Sequence, residues 1–156
     1  MNLTTLMDTP RLYTALAEWG ACLVYIFLLR RKMSGLKLSF FLGGSLIVFV
    51  AYHEFAGTLP IYFWIPCMIG AAFLMCALLH LLCDTTWLDA WFCCAKALVL
   101  AEFAASLHWQ LYVWWALNYA KNSRLFSTLT MLLLYTGIYI GYYFLERGHF
   151  PSDERL

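Results

Sequence analysis

Between Leu12 and Leu145 the chain alternates long apolar runs with short polar interruptions. The runs cover about residues 12–29, 38–57, 61–83, 88–110 and 126–145. A helix needs ~20 mostly apolar residues to cross a bilayer, and each run comes close to that length. Barrel strands would show alternation over ~10 residues, which these continuous runs lack. Unpaired backbone is not tolerated in lipid. The pattern predicts an all-α, polytopic integral membrane helix bundle with about five transmembrane helices. Residues 1–156 form one membrane domain, with residues 146–156 a short cytoplasmic tail that Pro151 keeps from continuing the last helix.

The fourth run meets a stretch crowded with Trp109, Tyr112, Trp114, Trp115 and Tyr119. Amphipathic rings settle at headgroup level, so Trp109–Tyr119 reads as an interface segment, with one continuous tilted helix as the other reading. Trp87 and Trp91 would anchor the opposite end of the fourth span, and Tyr142 and Tyr143 that end of the fifth.

Composition sharpens the class. The chain is 63% hydrophobic and 12% charged, against ~45–50% apolar and ~25% charged in soluble domains. Lipid is its solvent. A net charge of +1 gives no electrostatic case for nucleic acid. The six cysteines form no CxxC and fall mostly in apolar runs, so they read as small apolar filler, with neither a metal nor a cofactor implied. The first run reads as a retained span more than as a signal peptide, because Arg30-Arg31-Lys32 follows it instead of preceding it. That cluster with Lys37 is the densest positive charge and marks the cytoplasmic side. Five crossings then place the N-terminus outside and the C-terminus in the cytoplasm. Arg147 and Arg155 fall inside, and Arg11, Lys121 and Arg124 outside.

Ionisable residues inside the runs cost several kcal/mol unless they face the bundle or a cavity. The text LAEWGACL at Leu16–Leu23 is echoed by LAEFAASL at Leu100–Leu107. At ~1.5 Å per residue, Glu18 lies roughly 9 Å and Glu102 roughly 12 Å below the outer ends of their antiparallel helices. His53 and Glu54 sit near the outer end of the second helix, and His108 near that of the fourth. The expectation is an outward-facing polar cluster of Glu18, His53, Glu54, Glu102 and His108 that binds a ligand. Two plainer roles stay open: Glu54 and His108 as interfacial groups, and Glu18 and Glu102 as protonated carboxyls bonded to neighbouring helices. Lys96 lies deeper, with Glu18, His80 or the inner surface as candidate partners.

Small residues mark packing faces. Ala97, Ala101 and Ala105 lie four apart on the fourth helix, Ala17 and Ala21 on the first, and Gly137 and Gly141 form a GxxxG on the fifth. The GxxxG is also a candidate homodimer face. No nucleotide-binding, zinc-protease or serine-hydrolase motif occurs. His149, next to Pro151, reads as a juxtamembrane residue, so no enzyme activity is assigned to the chain.

The stretches PRLYTALAEW at Pro10–Trp19, LAEFAASLHWQL at Leu100–Leu111 and FLERGHFPSDERL at Phe144–Leu156 resemble the membrane input region of bacterial GHKL-type sensor histidine kinases, a group that includes relatives of the Agr-type peptide-pheromone receptors. The resemblance implies a multi-pass protein of the bacterial cytoplasmic membrane. It would take a peptide or small-molecule ligand from outside and pass a signal to a cytoplasmic dimeric kinase, whose catalytic boxes would lie beyond Leu156. The expected function is therefore a sensor module for signal transduction, in a two-component system. The alternative is a small transport or substrate-binding membrane component, which would call for broken helices at midplane.

Overall fold

The computed structural model describes residues 11–119 and 124–148. Lys121, His149, Pro151 and Arg155 lie outside the described residues. Five helices follow one another: α1 Arg11–Leu28, α2 Leu36–Thr58, α3 Trp64–Leu82, α4 Trp87–Tyr119 and α5 Arg124–Arg147. A 3₁₀ turn, Ile61–Phe63, leads into α3. All five are long and apolar enough to cross a membrane. The only β pairing among the described residues is an isolated bridge between Arg31 and Cys83.

The helix limits have local causes. Gly35, at φ 63, turns the chain into α2 in the left-handed region that a side chain would strain. Pro66 falls in the first turn of α3, where no N–H is needed for the ladder. Thr86 caps α4: Asp89 N–H donates to Thr86 Oγ1 at 3.3 Å, and the Thr86 hydroxyl in turn donates to Asp89 Oδ2 at 2.6 Å. Nothing stops α4 near Trp109. It runs on without a break to Tyr119, so the separate interface segment gives way to one long helix. Its 33 residues measure about 50 Å against a hydrocarbon thickness of about 30 Å, so α4 extends well past a single crossing. Trp115 stacks on Phe126 at 4.2 Å and holds this extension to the start of α5.

The central helix is α1, which packs against all four others. Ala15, Ala17, Gly20, Ala21 and Cys22 on it are buried, and these small groups let neighbours close in. A Cβ on Gly20 would come within 2.5 Å of the Tyr139 ring. The α1–α5 seam is sewn by tyrosines. The Tyr139 hydroxyl donates to the Ala17 carbonyl at 2.7 Å, Tyr135 to the Tyr13 carbonyl at 3.3 Å, and the hydroxyls of Tyr25 and Tyr142 meet at 2.9 Å. Tyr142 is thus a seam residue with its hydroxyl bonded to the central helix, where its sequence position suggests an interface anchor.

On α4, Ala97 and Ala101 are buried and Ala105 is half-buried against the core. Gly137 and Gly141 behave differently. A Cβ at either would meet nothing within 4 Å, so no close helix contact forms at the GxxxG of α5 among the described residues. It lines an apolar groove beside α4 with Val99, Leu100 and Phe103.

At the end of the bundle holding Arg31, the α1–α2 and α3–α4 connections are tied together. Lys32 N–H donates to the Leu82 carbonyl and Asp84 N–H to the Arg30 carbonyl, both at 2.8 Å. At the opposite end, holding Arg11, the first turns of α3 are exposed and a cavity opens.

Candidate functional site

The cavity measures about 450 Å³. It lies between the start of α1, the end of α2 and the start of α3. Arg11, Thr14, Tyr52, His53, Trp64 and Met68 contribute to its wall. The lining is apolar apart from a few polar groups, the usual make-up of a small-molecule site. The Tyr52 hydroxyl is already engaged, donating to the Cys67 carbonyl at 2.8 Å and bracing α2 against α3.

Behind His53 lies Glu18. His53 is 8% exposed and Glu18 1%. Nε2 of His53 stands 2.8 Å from Oε2 of Glu18. With Glu18 ionised, His53 donates this bond; with Glu18 protonated, the imidazole accepts it. Oε1 of Glu18 is buried without a hydrogen-bond partner among the described residues. A buried carboxyl oxygen left bare is costly, so Oε1 offers an acceptor to an incoming hydrogen-bond donor. The pair joins the cavity wall to the central helix through one hydrogen bond. Trp19 adds a second tie between the same helices, its Nε1 donating to Ser45 Oγ at 3.0 Å.

The five residues expected to cluster do not all meet. Glu18 and His53 do. Glu54 is exposed and lies outside the cavity lining. Glu102 is exposed; it makes no hydrogen bond or ion pair with Glu18, although both Glu18 and His53 lie within its electrostatic reach. The shared depth of Glu18 and Glu102 thus does not bring them face to face. His108 is 1% exposed and belongs to a second cluster. Its Nε2 donates to the Ser127 carbonyl at 3.1 Å, and its ring meets Tyr13 edge-on at 5.4 Å. Through these contacts His108 ties α1, α4 and α5 together.

Lys96 finds neither Glu18 nor His80. Its Nζ pairs with Oε1 of Glu146 on α5 and lies over the Phe92 ring at 4.9 Å. His80 instead donates from Nδ1 to the Thr85 carbonyl at 3.1 Å and stacks on Trp87. Glu146, at the polar end of α5, is the partner that sequence reasoning missed. The tyrosine row was missed as well. Tyr135, Tyr139 and Tyr142 fall at i, i+4 and i+7, one face of a helix, and that spacing was its signal. Among the described residues no three His, Cys, Asp or Glu side chains are grouped to share a metal ion. No protein-family model, no curated protein and no solved structure matches the chain.

Proposed function

We propose that this chain is a membrane sensor module, in which occupancy of the Arg11-end cavity biases the packing of α1 and is read at the Arg31 end. The observation that carries this is the buried Glu18–His53 bond: it places the cavity wall one hydrogen bond from the helix that touches every other helix. A ligand that displaces His53, or completes the hydrogen bonding of Glu18, has differential affinity for two packings of α1, which is what a population shift requires. The positive charge of Arg30, Arg31, Lys32 and Lys37 supports a cytoplasmic Arg31 end. The cavity then opens outward, to a peptide or small molecule. The resemblance to GHKL-type kinase input regions supports a bacterial cytoplasmic membrane and a dimeric kinase as the receiver of the signal.

The test replaces the unknown ligand by a built-in occupant. Ala56, half-buried in the cavity wall, is changed to Trp in nanodisc-embedded protein. Spin labels at Ser34 and Arg147, in a C67S background, report the Arg31 end. The expected result is a shifted label distance in Ala56→Trp and none in Gly43→Trp, where the added side chain enters open space. An unmoved Arg31 end with the cavity filled contradicts sensing.

A further inference from the structure

A second feature lies away from the cavity, on the α2–α3 face at the Arg31 end. A groove of about 380 Å³ runs between these helices, walled by Phe40, Phe41, Val48, Leu78 and Leu81. Phe40, Phe41, Val48 and Leu81 are exposed. Gly44 leaves the slot open, since a Cβ there would meet nothing within 4 Å. The walls are almost wholly apolar and suit a hydrocarbon chain.

One end of the slot is strongly basic. Lys37 stands one turn before Phe40 and Phe41, on the same side of α2. Lys32 is fixed against the last turn of α3, its Nζ donating to the His80 carbonyl at 2.8 Å and its N–H to the carbonyl of Leu82, which also lines the groove. Arg31 is held by the backbone bridge to Cys83, with its guanidinium over the Phe27 ring at 5.6 Å. None of Arg30, Arg31, Lys32 and Lys37 has an ion-pair partner among the described residues. Asp84, on the paired segment, is the nearest acidic residue in the connection and forms no ion pair with them. The first turn of α2 carries no acidic residue and no side-chain cap, so the positive end of its dipole adds to the same field.

We infer that this groove is a binding site for an anionic phospholipid, with one acyl chain in the α2–α3 slot and the phosphate between Lys32 and Lys37. The occupant follows from charge and shape together. A free anion has no use for the apolar slot. A zwitterionic lipid brings a cation to a cluster that repels it. An anionic amphiphile satisfies both halves, and basic pockets between membrane helices take such headgroups. The backbone ties between Arg30–Lys32 and Leu82–Asp84 give the site its rigidity, because they hold the basic connection against the last turn of α3.

The test is native mass spectrometry of the full chain in detergent, with dioleoyl phosphatidylglycerol, dioleoyl phosphatidylcholine and soluble glycerol 3-phosphate as probes. Each basic side chain near a headgroup is worth roughly a fivefold change in binding. With two such side chains, phosphatidylglycerol should therefore be retained about twentyfold over phosphatidylcholine, and glycerol 3-phosphate not at all. Lys32→Gln with Lys37→Gln should abolish the preference. Gly44→Phe fills the slot, leaves every charge in place and should weaken phosphatidylglycerol binding by a similar factor. If Gly44→Phe lowers the melting temperature, Val48→Trp fills the slot from its exposed wall and serves instead. Equal retention of the two lipids overturns the proposal. So does unchanged binding in the folded slot-filled variant, glycerol 3-phosphate binding as well as the lipid, or a second copy covering the face with lipid excluded.

Discussion

The two ends of the bundle are built on opposite plans. At the Arg31 end, two connections are joined by main-chain hydrogen bonds, Lys96 is paired with Glu146 across α4 and α5, and Cys83 is fully buried. At the Arg11 end, α3 starts exposed and a cavity separates it from α1 and α2. Backbone ties fix geometry without depending on side-chain size, whereas the open end is held by single side-chain bonds such as Tyr52 to Cys67 and His53 to Glu18. The lesson is that one end is fixed by main-chain ties, whereas the other leaves a cavity bounded by side-chain bonds.

Thiol reactivity gives the largest contrast. Cys67 lines the cavity and Cys83 sits on the backbone bridge with no exposure, so maleimide should modify Cys67 about a hundredfold faster than Cys83. Similar rates, resolved by peptide mass spectrometry, would erase the distinction between the ends. The same contrast of closed and open runs along α5. Gly20→Leu drives a side chain into the Tyr139 ring and should cost about 3 kcal/mol, seen as a large fall in melting temperature in detergent. Gly137→Leu enters the open groove and should leave melting nearly unchanged. Lys96→Met strands Glu146, which is 9% exposed, and should cost about 2 kcal/mol, with part of the loss recovered by adding Glu146→Leu. A smaller loss is that of Tyr139→Phe, which removes one hydroxyl from the Ala17 carbonyl and should cost about 1 kcal/mol.

How far the sequence was legible follows the same geometry. The five spans were readable because lipid demands continuous apolar length, and that demand writes itself along the chain. Depth was readable too, since rise per residue is fixed: Glu18 and His53 were placed at one end of the bundle, and they meet there. Azimuth was lost. On α4 the buried positions Ala97, Ala101, Ala104 and His108 share one face, and Glu102 is one residue, or ~100°, off that face. Counting depth alone grouped Glu102 and His108 with Glu18 and His53, to which neither is hydrogen-bonded. Glycine spacing misled for a related reason. GxxxG at Gly137 and Gly141 is a pattern within one helix, whereas the tight contact at Gly20 depends on where Tyr139 of another helix falls. The length of α4 was obscured by its aromatic residues, which suit a membrane interface and a helical extension equally well.

The central claim is that the cavity is coupled to α1 through His53 and Glu18. The most direct measurement is the Ser34–Arg147 label distance in Ala56→Trp, compared with and without His53→Phe. If the coupling runs through this bond, filling the cavity shifts the distance in the parent, and the shift disappears when His53 is Phe. An equal shift in both backgrounds contradicts the account, because the signal would then bypass the Glu18–His53 pair.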